Sequence, residues 1–207
     1  MGLMRDFFAN TRKPGKGVTG KMMLQMMNIM HNKNALWCLS NLEIEKTASI
    51  LEIGCGGGKN ISNLLEKAPD AKVYGIDYSE TSVENSRKFN RKAVSEGKVE
   101  VVQGSVSSLP FEDRKFDLAT AFETIYFWPD LLNDFKEVNR VLKPGGKFFI
   151  CNEAARPEGS EKWTDKIDMT IYTKEQLKDI LIMAGFTNIQ THEHGNGEWI
   201  CVMAQKP

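Results

Sequence analysis

Residues 49–60 read Ser-Ile-Leu-Glu-Ile-Gly-Cys-Gly-Gly-Gly-Lys-Asn, and they restrict the fold more than any other stretch of the chain. An apolar run, Ile50, Leu51 and Ile53, stops at Gly54, Gly56, Gly57 and Gly58, and helical spacing starts at Ile61, Leu64 and Leu65. The pattern predicts a strand, a tight turn and a helix. Glycine serves such a turn by reaching positive φ and by letting a ligand approach bare backbone. In open α/β sheets, ligands bind at turns of this kind, beyond the carboxyl ends of the strands.

Two phosphate-binding motifs fail here. Counting from Gly54, the third position is Gly56 but the sixth is Lys59, so the glycine that permits close helix–strand packing in a dinucleotide fingerprint is missing. No Gly-Lys-Ser/Thr follows, which removes a P-loop. Glu52 stands two residues before the first glycine. A carboxylate there suits a cationic or amine-bearing ligand and repels a pyrophosphate.

With those motifs set aside, Glu52-Ile53-Gly54-Cys55-Gly56-Gly57-Gly58 resembles motif I of the class I S-adenosylmethionine (SAM)-dependent methyltransferases, of the small-molecule type similar to ubiquinone- and menaquinone-biosynthesis enzymes. The likeness continues in order to the end of the chain. Val73-Tyr74-Gly75-Ile76-Asp77-Tyr78-Ser79 is similar to the family's second strand, and Asp77 follows Gly58 at roughly the twenty-residue spacing of a carboxylate that meets a ribose. Gly104-Ser105-Val106 with Leu109-Pro110-Phe111 resembles the loop after strand three, Phe116–Ala121 resembles strand four, and Arg140–Phe148 the helix, turn and strand-five signature. Many relatives carry an acid where this chain has Ser105, whose hydroxyl accepts a hydrogen bond more weakly.

The resemblance implies a Rossmann-like α/β fold: a doubly wound, seven-stranded, mostly parallel sheet with one antiparallel strand. Strands are expected near 49–53, 73–76, 98–102, 116–121, 147–151, 187–193 and 198–205, and helices near 59–67, 80–95, 131–142 and 174–184. Thr173 and Gln176 form a capping-box pattern ahead of the last helix, and Gly195-Asn196-Gly197 marks a hairpin between the last two strands. Residues 43–207 read as the SAM-binding domain. Residues 1–42 read as a mobile segment, broken by Lys13-Pro14-Gly15-Lys16-Gly17, followed by a helix with Met22, Met23, Met26, Met27 and Met30 at helical spacing. That helix either packs its stripe on the core or caps the cofactor and substrate.

Bulk properties narrow the partners. The 207 residues carry 27 basic and 27 acidic side chains, which argues against an extended nucleic-acid or anionic-membrane surface. Adenine-methylating relatives carry an Asn/Asp-Pro-Pro-aromatic tetrad after strand four, and this chain has none. Cys38, Cys55, Cys151 and Cys201 are scattered without a Cys-x-x-Cys pair, so neither a disulfide framework nor a zinc site is expected and a reducing cytoplasm is. No apolar run approaches the roughly 18 residues of a spanning helix.

The resemblance then assigns roles. Glu52, Gly54 and Gly56 would hold the methionine part of SAM, with Cys55 inside the same loop; Asp77 would hold the ribose; Tyr78, Ser105 and Val106 the adenine; Phe122 and Glu123 would flank the methyl group. The segment Phe122–Pro129 follows a strand's carboxyl end and is the expected substrate floor, with Glu123 and Tyr126 as its polar, catalytic candidates. Phe127 and Trp128 either line that floor or pack beneath the following helix. His31, near the end of the methionine helix, is expected in a surface or cap role, with the mouth of the site within its reach as the alternative. His192 and His194 share a strand face but are too few for a metal, and none is expected. The function so read is methyl transfer from SAM to a small-molecule acceptor. The alternatives are a silent SAM- or partner-binding module and, less well matched, an NAD-type oxidoreductase.

Overall fold

A computed structural model describes residues 14–15 and 17–207. Residues 1–13 and 16, most of the segment expected to be mobile, lie outside the described residues. The described residues form one seven-stranded sheet in the order β3-β2-β1-β4-β5-β7-β6. Its strands are β1 (Ser49–Ile53), β2 (Lys72–Asp77), β3 (Val99–Gln103), β4 (Phe116–Phe122), β5 (Leu142–Asn152), β6 (Thr187–Glu193) and β7 (Ile200–Gln205). All neighbours pair in parallel except where β7 inserts between β5 and β6 and runs against both. This is the doubly wound sheet with one antiparallel strand that the resemblance implied.

The strands are apolar on both sides because both faces are covered. On one face Leu51, Ile53, Tyr74 and Phe148 pack with Phe135 and Val138 of α6 (Leu131–Val141) and Leu177 and Leu181 of α8 (Lys174–Met183). On the other, Ile50, Val73, Leu118 and Phe149 pack with Ile61 and Leu64 of α3 (Lys59–Lys67) and Val83 of α4 (Glu80–Phe89). Ala35, Cys38 and Leu39 of α2 (Asn32–Ser40) complete that layer. Helix α8 begins with the expected capping box: Gln176 N–H donates to Thr173 Oγ1 and Thr173 N–H donates to Gln176 Oε1.

Helix boundaries differ from the sequence expectation in three places. The helix expected over 80–95 breaks at Asn90, leaving α4 and α5 (Arg91–Ser95), because the Asn90 amide is drawn to Gly58 O at 2.9 Å and Ser86 O at 3.0 Å. The methionine helix also breaks, at His31, into α1 (Val18–Met30) and α2. A short α7 (Glu161–Thr164) lies in the irregular segment after β5.

The methionine stripe does not pack as a unit. Met23 is buried, whereas Met22, Met26 and Met30 stay exposed and Met27 turns toward the strand ends. The cysteine expectation is corrected as well. Cys38 of α2 and Cys151 of β5 form a disulfide, closing a sequence separation of 113 that spacing could not reveal. Packing α2 on β5 brings the two together, and Cys55 and Cys201 remain free and buried. The pairing removes the argument from scattered thiols for a reducing compartment. No helix among the described residues is long and apolar enough to cross a membrane.

Candidate active site

The carboxyl ends of β1, β2, β3 and β4 open onto a single cleft beneath α1. Its wall includes Gly54, Gly56, Asp77, Tyr78, Ser105, Val106 and Glu123, with Leu24 and Met27 above and Thr124, Phe127 and Trp128 beside them. Seven of the residues singled out from the sequence are thus brought together. Four others sit elsewhere. Glu52 is 1% exposed between strands, Cys55 lies under the glycine turn, Phe122 packs on Phe149, and Tyr126 is buried behind Glu123.

The turn itself needs its glycines. Gly54 has φ +77° and Gly58 has φ +84°, backbone that favours glycine, and a Cβ on Gly54 would strike the Thr124 side chain. Gly54 and Cys55 N–H both donate to Ile76 O, at 2.8 and 3.1 Å, tying the turn to β2. Asn28 of α1 donates to Gly57 O at 3.3 Å, so the cap helix is fastened to the same turn.

Asp77 ends β2 and aims its carboxylate into this turn. Oδ2 accepts Gly56 N–H at 3.0 Å and Oδ1 accepts Ser79 N–H at 2.9 Å. Burial raises its pKa above the ordinary value, and those two amides oppose the rise. Each oxygen keeps a lone pair beyond its amide bond, which suits a vicinal diol. The loop bearing Ser105 and Val106 is braced from behind. Glu137 Oε1 accepts Leu109 N–H at 2.8 Å, while the Arg140 guanidinium donates to Leu109 O, Phe111 O and Asp113.

Glu52 is held differently. Its Oε2 accepts the Thr120 hydroxyl, its Oε1 has no partner among the described residues, and burial pushes its carboxyl well above the usual range. That orphaned oxygen, the bare glycine backbone and the spare valences of Asp77 fit an adenosine-bearing ligand with an amino-acid tail.

The far wall is built on Glu123, whose φ of +59° is unusual for a residue with a side chain. Its N–H donates to Cys151 O at 2.8 Å, and the turn directs the carboxylate to the cleft. Asn34 Nδ2 donates to Glu123 Oε1 at 2.7 Å. Tyr126 also hydrogen-bonds the carboxylate, and the Tyr126 hydroxyl accepts Ala154 N–H at 3.0 Å. Burial, then the nearby Glu153 charge, pushes Glu123 up to about 8 against the pull of His31, the Glu153 backbone and Tyr126.

The break between α1 and α2 delivers His31 to this place. His31 Nδ1 lies 3.0 Å from Glu153 Oε2, and ligating atoms of His31, Glu123 and Glu153 fall within 4.8 Å of one another. Burial draws the imidazole down, but the Glu153 hydrogen bond and the charges of Glu123 and Glu153 outweigh it, so its pKa is raised. Sequence reading missed Glu153 and Asn34. Glu153 lies just past the carboxyl end of β5, so the strand-end rule could have nominated it. Asn34 carries no comparable signal. His194 packs against Trp37 and Trp199 instead of facing the cleft.

Residues 51–150 match the family described as "Methyltransferase domain". The demethylmenaquinone methyltransferase of Lactococcus lactis is 29% identical over 190 residues, covering 77% of this chain and 75% of that protein. A chain from the complex of the Haloferax volcanii Trm112 methyltransferase activator with its methyltransferase superposes with TM-score 0.82 at 18% identity, over 99% of this chain and 97% of that one. A SAM-dependent methyltransferase of Thermotoga maritima, described as a possible histamine N-methyltransferase, gives TM-score 0.74 at 23% identity over 99% and 100%.

Proposed function

We propose that this chain is a SAM-dependent methyltransferase that methylates a small-molecule acceptor seated between Glu123 and the residues that hold SAM. The carrying observation is the shared cleft: Gly54, Gly56, Asp77, Ser105 and Val106 line it together with Glu123, Phe127 and Trp128. When bound, SAM supplies a methyl group already activated as a sulfonium. What remains for the chain is alignment of the acceptor and exclusion of water, which can supply much of the acceleration. A catalytic triad is not needed.

In this reading Asp77 binds the ribose hydroxyls, Tyr78, Ser105 and Val106 contact the adenine, and Gly54 and Gly56 admit the methionine part. Glu52 contributes from behind the turn through its unpartnered oxygen, and Cys55 and Phe122 shape the loop and the strand end without lining the cleft. Glu123 is the polar group on the acceptor side. Tyr126 is a positioning residue: burial pushes its hydroxyl well above the ordinary range, so it stays protonated beside Glu123. Leu24, Met27 and the tie from Asn28 to Gly57 support a cap role for α1. The Lactococcus relative is named for a small molecule, demethylmenaquinone, which supports the same acceptor class. A formal net charge of zero and a cleft enclosed by α1 disfavour nucleic acid.

Calorimetric titration with SAM and with NAD, followed by a labelled-methyl screen over metabolite extracts, tests the proposal. SAM binding with transfer to a small metabolite is expected. SAM binding with no transfer to any fraction would instead support a silent binding module, and NAD binding in place of SAM would overturn the assignment.

A further inference from the structure

The cleft is charged on one side of the ledger only. Among the described residues its wall carries two carboxylates, Asp77 and Glu123, and no lysine, arginine or histidine. A phosphate or carboxylate acceptor would meet no countercharge among these residues, whereas a cation would. Asp77 is occupied by the amides of Gly56 and Ser79 and belongs to the ribose end. Glu123 stands with Thr124, Phe127 and Trp128, where aromatic faces also favour a cation.

Behind Glu123 lies a path outward. His31 and Glu153 form a 3.0 Å pair whose side chains are each 32% exposed, within 4.8 Å of Glu123. Groups facing Glu123 come from three elements: His31 at the α1–α2 junction, Glu153 past the end of β5, and Tyr126 in the turn Ile125–Phe127, with Asn34 as a neutral donor. Such a chain can take a proton at the cleft and release it at the surface.

We propose that the acceptor is an amine that enters as an ammonium ion on Glu123, and that His31 and Glu153 carry its proton to solvent. This rests on the methyltransferase reading and names its substrate class. The N–H bond breaks, the proton moves to a Glu123 oxygen, and the nitrogen keeps the electron pair that any methyl acceptor must present. The His31 imidazolium first gives a proton to Glu153 and solvent, and the ring nitrogen so freed takes the proton from Glu123. Because burial holds the free Glu123 carboxyl near 8, an incoming ammonium displaces its proton at neutral pH. Amine affinity should therefore strengthen close to tenfold per pH unit below 8 and then level off.

The test uses the full chain saturated with S-adenosylhomocysteine, titrated calorimetrically with 2-phenylethylamine and its uncharged isostere 2-phenylethanol between pH 6 and 9. The amine is expected to bind at least tenfold tighter. Glu123→Gln should abolish that preference while S-adenosylhomocysteine affinity stays within threefold. His31→Asn should move the midpoint of the pH dependence upward, since the imidazolium that draws Glu123 down is gone; a merely structural histidine would leave it in place. Equal affinity for amine and alcohol, a preference that survives Glu123→Gln, or no amine binding to protein that holds S-adenosylhomocysteine would each overturn the proposal. If S-adenosylhomocysteine itself fails to bind, the cofactor reading falls and takes the proposal with it.

Discussion

Replacing Asp77 by asparagine separates two jobs that one carboxylate performs. In the free protein it accepts Gly56 N–H at 3.0 Å and Ser79 N–H at 2.9 Å, bracing the glycine turn; with SAM bound, in our proposal, it also accepts from the ribose. Asparagine keeps one carbonyl oxygen and replaces the other with a donor, so one amide bond is lost. A hydrogen bond to a charged group contributes about 1.5–3 kcal/mol. Against that stands the burial that raises Asp77 above its ordinary value of 3.8, which means the charge is held at a net cost in the fold. The neutral amide removes that cost. The expected net loss of stability at pH 7 is therefore about 1 kcal/mol, smaller than the hydrogen bond alone would imply. A folded pKa above the unfolded one gives stability that is full below about 3.8 and is lost as pH rises through the folded value. The variant has no such group, so its deficit should narrow from pH 3 to pH 7. Urea denaturation at both pH values measures the deficit, and calorimetry should show SAM affinity at least tenfold weaker, about 1.4 kcal/mol. Unchanged SAM affinity in both Asp77→Asn and Asp77→Ala would refute the ribose assignment. A deficit that widens with pH would refute the desolvation argument.

Glu123→Gln should flatten the pH dependence of stability. With a folded value of about 8 against 4.5, the wild type loses stability as pH rises from 4.5, by about 2–3 kcal/mol at pH 7 after allowing for water in the cleft; denaturation midpoints with parallel pH slopes for both proteins would contradict this. Gly54→Ala forces a side chain to φ +77° and into Thr124, so a loss of about 2–4 kcal/mol is expected, with Thr124→Ala relieving only the closest contact, to Cγ2, and leaving that to Cβ. Thermal melts of the double variant should fall between the wild type and the single variant. Cys38→Ser opens a cross-link that spans a separation of 113 residues, which should lower stability by about 2–4 kcal/mol. Reductant should lower the melting temperature of the wild type and leave that of the variant where it is.

Much of the cofactor side was legible because it is local. Ile50, Leu51 and Ile53 followed by the glycine run define strand and turn within a dozen residues, and Asp77 is placed by the length of one βαβ unit. Glu52 shows the limit of that logic. Its position in the motif was readable, but its side chain turns between strands and accepts the hydroxyl of Thr120 on β4, a partner 68 positions away that the motif does not encode. Cys38 and Cys151 illustrate the other failure: nothing in their spacing encodes a contact that exists only once α2 lies on β5.

The acceptor side is assembled from segments remote in sequence, and this explains why it was read so unevenly. Glu123 was found because it follows a strand end, yet its environment comes from His31 and Asn34, 92 and 89 positions upstream, and from Glu153, 30 downstream. The helix break at His31 is what joins them. A continuous helix through residue 31 would carry Asn34 and Cys38 away from β5, and the sequence there supplies neither glycine nor proline to announce a break. The cost of bending is offset by tertiary contacts instead: His31 to Glu153, Asn34 to Glu123 and Cys38 to Cys151, all made by one turn-and-helix segment. The same three contacts that define the acceptor wall thus also hold the cap in place. A variant that weakens one of them, such as Asn34→Ala, should loosen the cap and lower acceptor affinity together, while SAM contacts at Asp77 and Ser105 stay intact. Hydrogen exchange across residues 18–40, compared with that across 72–77, would read the difference directly.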